Sequence, residues 1–155
     1  MALAGRVADG IVLVGGSGPR HVRRCIDHAD PPAAFHVAAF ASLCVLPERE
    51  HAHRAMAPFV GQLLDTSASC VLEHPHADEI RERHDARGSD GLADLPASWW
   101  AEIGPIGTLA DAVEFTQSLA DAGVTDIAFF PGPDLETGYD DIEVAAKIAA
   151  AVRGT

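Results

Sequence analysis

Residues 8–25 read ADGIVLVGGSGPRHVRRC. Ile11-Val12-Leu13-Val14 is an uninterrupted apolar run that stops at Gly15. Such a run fits a strand buried on both faces, as in a parallel sheet. Pro19 suits the first position of a helix, where its missing N–H leaves no bond unmade. Val22, Cys25, Ile26 and Ala29 then recur at helical spacing until Pro31-Pro32 ends the segment. Strand, glycine turn and helix make half of a βαβ unit.

The pattern repeats downstream. Phe35 to Val45 (FHVAAFASLCV) is a second strand-like run, with the strand expected over Val37–Val45. Pro47 opens a helix with an inner face of Ala52, Ala55, Met56, Phe59, Val60 and Leu63, and Pro58 is expected to kink or divide it. Periodicity weakens between Thr66 and Gly104: Ala77 to Ala86 fits a charged helix, and RGSDGLADLP is loop-like. Thr108 and Asp111 form a capping pair. Leu109, Ala112, Val113, Thr116, Leu119 and Ala120 make the stripe that follows, and Gly123 stops that helix. Ile127 to Phe130 is a third strand. A last helix, about Tyr139 to Val152, sets Ile142, Ala145, Ala146, Ala149 and Val152 on one face. Strands alternating with helices predict an α/β fold in one domain, 1–155, with three parallel strands in chain order.

Composition narrows the function classes. Apolar residues make up 48% and charged residues 22%, a globular balance, in a chain of 155 residues with a formal charge of -12. That charge argues against nucleic acid and against anionic membrane surfaces as partners. No apolar run approaches the ~20 residues that cross a bilayer, and MALAGRVADG carries no signal-like start. Three widely spaced cysteines, Cys25, Cys44 and Cys70, fit neither a disulfide framework nor a zinc pattern. A soluble protein of a reducing, cytoplasmic compartment is expected.

The glycine loop has two physical readings. Glycines after a buried strand let the backbone approach a phosphate, and the helix start beyond them offers free N–H groups. Alternatively, Gly15 to Gly18 merely turn the chain. A dinucleotide fingerprint fits poorly, because His21 stands where its third glycine belongs.

Three longer stretches carry a resemblance. LAGRVADGIVLVGGSGPRHVRR (Leu3 to Arg24), FHVAAFASLCVLPEREHAHRAM (from Phe35) and GPIGTLADAVEFTQSLADAGVTDIAFFPG (Gly104 to Gly132) resemble the later part of the luciferase-like monooxygenase family. That family comprises flavin-dependent monooxygenases and deazaflavin-dependent oxidoreductases. Leu109 departs from it, standing where proline often follows the Gly-Thr pair. The resemblance implies a TIM (β/α)8 barrel, a fold of about 250 residues. This chain matches only its last three β/α units, so a partial barrel is expected, from a truncated, split or misassigned gene.

The resemblance also implies a role for the loop. Gly15, Gly16, Ser17 and Gly18, with Arg20, match the positions that hold the cofactor's phosphate, the cofactor being FMN or the deazaflavin coenzyme F420. In complete relatives that cofactor carries out the oxidation or reduction. The family's acids and bases lie in the barrel half that is missing here, so no catalytic residue is assigned. The isolated chain is expected to be inactive and to retain no cofactor. Its open strand edges call for a homo-oligomer or a complementary N-terminal barrel chain. The alternative is a non-catalytic remnant or oligomerising interaction module.

Other residues read as structural. The eight histidines lack ligand spacing and are expected to be solvated, with no metal site; His51 and His53 point to different helix faces. His36 is expected half-buried, Ser42 to line the interior or fill space, and Cys44 to act as a small buried hydrophobe. Trp99-Trp100 are expected to anchor a loop. Asp134, Glu136, Asp140 and Asp141 read as a solvated loop and an acidic helix start.

Overall fold

The computed structural model describes residues 1–131 and 138–153, the side chains of residues 138 and 139 aside. After a short α1 (Ala4–Val7), β1 (Gly10–Leu13) forms where the apolar run predicts, and α2 (Pro19–Ala29) follows with Pro19 in its first turn. β2 is His36–Ser42 and β5 is Asp126–Phe130. The three form one parallel sheet in the order β1-β2-β5, with Ile11 opposite Val37 and Ser42 opposite Phe130.

One face of the sheet is covered. Ile11, Leu13, Val37, Ala39 and Ala41 pack with Val22 and Cys25 of α2 and with Phe115 and Leu119 of α8 (Leu109–Asp121). The opposite face is not covered among the described residues. Val12 is 62% exposed, Val14 63% and Phe130 49%. Phe40 pairs there with Phe130, at 5.0 Å between ring centroids. This arrangement departs from the strand burial expected of a closed parallel sheet, and the alternation of burial along β1 shows it directly.

The second apolar run divides. β2 ends at Ser42, and Cys44–Val45 forms a separate β3 that pairs in parallel with β4 (Ile106–Gly107), a strand too short to show in the sequence pattern. Pro58 does not divide α3, which runs from Arg49 to Asp65 with Pro58 on its exposed side. An exposed carbonyl freed by proline is satisfied by water, so the break costs less there. The buried face of α3 is rotated from the expected one: His53, Ala57, Gly61 and Leu64 join Ala52, Met56 and Val60, while Ala55, Phe59 and Leu63 are half-buried.

The weakly patterned segment is a run of helices joined by turns. It contains α4 (Ser69–Leu72), α5 (Ala77–Arg87), α6 (Ser89–Ala93) and α7 (Ala97–Trp100). The stretch RGSDGLADLP therefore holds a helix and not only a loop, because Leu92 and Leu95 bury themselves against α3. These helices form a second core with Met56, Val60, Ile80 and Trp100, leaving the open sheet face untouched.

Two further stripes shift. In α8, Phe115 is buried and Leu109 is 39% exposed, while Ala112, Thr116 and Leu119 are buried as expected. In α9 (Gly138–Arg153), Ile148 is the buried residue, packed with Leu43, Val144, Ala145 and Val152, whereas Ile142 and Ala146 face outward.

Candidate functional site

Because the three strands are parallel, their C-terminal ends lie together, and the glycine loop leaves β1 at that end. A Cβ on Gly15 would lie 3.5 Å from both Ser42 Oγ and the Phe59 ring, so the loop sits beside the end of β2 and the flank of α3. Gly16 has φ +87°, a conformation that suits glycine, and a Cβ on it would lie 2.7 Å from Leu63. The Cys70 thiol donates to the Gly15 carbonyl at 3.6 Å. Ser17 is 3% exposed, and its hydroxyl donates to the Val14 carbonyl at 2.7 Å.

Gly18 is the extended N-cap of α2, packed so closely on Glu102 that any Cβ would run into the Glu102 carbonyl. The Arg20 N–H donates to Glu102 Oε2 at 3.2 Å, and the Arg20 guanidinium Nε lies 3.9 Å from Oε1. A carboxylate is thus seated at the start of a helix, where the backbone dipole favours a negative group. The fold brings Gly15, Gly16, Ser17, Gly18 and Arg20 into one loop, with the Ser17 hydroxyl bonded to the Val14 carbonyl and the Arg20 N–H to Glu102. The Glu102 carboxylate occupies the helix start beside the loop. Nothing in the local sequence signals this, since Glu102 is 82 residues away from Arg20 along the chain.

Two expectations about ring systems change. His53 and His74 are 4% and 7% exposed, not solvated, because both serve the second core. His53 stacks on Trp100 with centroids 4.6 Å apart, and neither His53 Nε2 nor Trp100 Nε1 finds a hydrogen-bond partner among the described residues. His74 Nε2 pairs with the Trp99 carbonyl at 3.1 Å, and its Nδ1 accepts from the His76 N–H at 3.0 Å. Burial lowers the proton affinity of both His53 and His74. Trp99 stacks on His76 at 4.1 Å, whereas Trp100 is a core residue and more than a loop anchor.

His36 is exposed, its side chain 74% accessible, since it opens β2 at the end remote from the loop. Ser42 is half-buried, and Cys44 is buried as expected. No group of three or more metal-ligating side chains occurs among the described residues. Asp140 is exposed and Asp141 half-buried, while Asp134 and Glu136 lie outside the described residues. No helix of the described residues is long and apolar enough to cross a membrane.

No family model matches this sequence, and no curated protein matches it. Solved structures do. The coenzyme F420-dependent tetrahydromethanopterin reductase of Methanopyrus kandleri matches with a TM-score of 0.63 at 22% identity, over 92% of this chain and 44% of the reductase. An F420-dependent secondary alcohol dehydrogenase, solved with an F420-acetone adduct, matches with a TM-score of 0.59 at 16% identity, over 97% of this chain and 44% of the enzyme. The chain spans less than half the length of each. In fold, it is similar to a part of these two F420-dependent enzymes.

Proposed function

We propose that this chain is part of a luciferase-like oxidoreductase that uses deazaflavin or flavin, equivalent to about the last three β/α units of a (β/α)8 barrel. It contributes the cofactor-phosphate side of the site. The observation that carries this reading is the parallel sheet β1-β2-β5 with one apolar face uncovered, in a chain that is similar to 44% of two F420-dependent enzymes. A barrel interior is lined by such a face, and the missing strands of a complementary chain or a second copy would cover it.

In this reading Gly15, Gly16, Ser17, Gly18 and Arg20 meet the phosphate end of F420 or FMN only after Glu102 withdraws. Until then Glu102 and the phosphate compete for one helix start. The cofactor, when bound, supplies the hydride or oxygen chemistry. This chain's residues supply backbone and guanidinium donors, and no catalytic residue is assigned to it. A second reading, a non-catalytic oligomerising module, is favoured by the same Glu102 carboxylate, which closes the loop without any ligand.

F420 and FMN titrated separately into the purified chain, followed by co-sedimentation at each cofactor's absorbance, test the first reading. Neither is expected to co-sediment with the native chain at micromolar concentration. Glu102→Gln removes the competing charge and is expected to tighten cofactor binding at least about tenfold, the equivalent of ~1.4 kcal/mol. Ser17→Ala and Arg20→Ala in that background are expected to weaken it again. Failure of Glu102→Gln to bind either cofactor at millimolar concentration would leave only the second reading.

A further inference from the structure

A separate cluster lies along α2, on the side of the sheet opposite its open face, where Cys25 is buried at 6% exposure. His21 and Cys25 stand one turn apart on that helix, so their side chains are neighbours. Cys25 Sγ lies 3.5 Å from His21 Nε2, and His21 Nδ1 lies 2.8 Å from Glu73 Oε2, at the end of α4. A carboxylate only accepts, so Nδ1 carries the hydrogen of that bond and Nε2 presents a lone pair to the thiol. Nucleophile, base and orienting carboxylate therefore stand in line, the arrangement that activates a weak nucleophile.

The cluster borders a cavity of about 320 Å³ whose lining includes Met1, Ala2, His21, Arg24, Cys25 and Glu73. Among the described residues, the other two thiols face carbonyls and not a histidine. Cys44 Sγ faces the Ala52 carbonyl at 4.0 Å, and Cys70 faces the Gly15 carbonyl.

We propose that Cys25 is a thiol-modification site that exchanges with small, carboxylate-bearing disulfides, with His21 as its base and Glu73 as a positioning residue. The Cys25 S–H passes its proton to His21 Nε2 as sulfur attacks one sulfur of the disulfide. The Cys25–S bond to that sulfur forms, the incoming S–S bond breaks, and the departing thiolate takes the proton from His21. One protein thiol is oxidised to a mixed disulfide, and one thiol is released. Attack on sulfur develops no oxyanion, so this chemistry needs no oxyanion-binding donors. Arg24 stands on the cavity wall, 56% exposed at the side chain with its Nε 3.6 Å from Glu73 Oε2, and its outward guanidinium nitrogens suit a carboxylate on the reagent. Burial pushes the Cys25 thiol up, as does the charge of Glu73, so little thiolate stands ready and the base matters during attack.

The test uses the whole chain with dithiobis(nitrobenzoate), then oxidised glutathione, and neutral hydroxyethyl disulfide as the comparator. Quenched samples are peptide-mapped to give a separate rate for each of the three cysteines. Cys25 is expected to react first, at least about tenfold faster than Cys44, and to prefer the two anionic reagents. His21→Gln is expected to slow Cys25 by about tenfold or more, in line with the loss of a general base. Glu73→Gln is expected to slow it several-fold, with Glu73→Asp restoring much of the rate, which a merely space-filling role would not produce. Equal rates at Cys25 and Cys44 in the unaltered chain would overturn the proposal without recourse to any variant. So would an unchanged Cys25 rate in a folded His21→Gln protein.

Discussion

Replacing Asp111 by alanine removes the knot that fastens β4 and α8 to α3. The Asp111 carboxylate accepts from the Thr108 N–H at 2.7 Å, the Thr108 hydroxyl at 2.7 Å, and Arg49 Nε and Nη2 at 2.9 and 2.7 Å. The Asp111 N–H returns a bond to Thr108 Oγ1 at 3.4 Å, completing a capping box. Losing the bond from the Thr108 N–H, Asp111's half of the box, costs about 1 kcal/mol, by analogy with N-cap replacements. The part-buried Thr108 hydroxyl, left without its acceptor, costs about 1 kcal/mol more. Arg49 is open to water and rehydrates. A loss of about 2 kcal/mol in a chain of this size lowers Tm by roughly 4–8 °C.

The pH dependence of that loss is equally specific. Hydrogen bonds from Arg49, then those from Thr108, hold the Asp111 carboxyl far below the usual carboxylate range. A carboxylate depressed in the folded state contributes stability that is present above its unfolded pKa, near ~3.9, and lost as pH falls toward the folded value. Thermal melts followed by circular dichroism should show the full gap between native chain and Asp111→Ala at pH ~7 and a steadily smaller one below pH ~4. A drop under ~1 °C at neutral pH, or a gap that widens toward acid, would refute the reasoning.

Two further outcomes follow from the open face and the buried rings. The native chain is expected to self-associate in sedimentation equilibrium at low micromolar concentration, and Val12→Lys is expected to weaken that association at least about tenfold, because Val12 is 62% exposed on the uncovered apolar face. A single species at 16.3 kDa for the native chain would show that no partner is needed. Acidification below about pH 6.5 is expected to lower Tm, since burial keeps His53 and His74 neutral when folded while the unfolded chain takes up protons. His53→Phe should flatten that slope, and an identical slope in the variant would assign the effect elsewhere.

The sheet was legible because its signals are local. An apolar run, a stop at Gly15 and Pro19 in the first helical turn describe β1, the loop and α2 without reference to the rest of the chain. The same holds for Thr108 and Asp111, three residues apart in one capping box, and for Gly123, whose φ of +102° ends α8 as its position suggests. Helix faces were less legible wherever a helix meets two neighbours. Periodicity names an apolar stripe, but α3 lies between the small β3-β4 sheet and α6, and both sides press on it, so His53 is buried beside Met56.

Long-range choices belong to the tertiary structure alone. Glu102 reaches the start of α2 because α7 and the turn after it pack over the loop, and no periodicity connects positions 82 residues apart. Likewise Glu73 meets His21 across 52 residues. The sequence alone determined a parallel α/β chain with a glycine loop at a helix start, since backbone sterics and apolar spacing act over a few residues. Only the tertiary structure decided that a carboxylate closes that loop and that one sheet face stays bare, because both depend on which distant surfaces the chain has left to bring together.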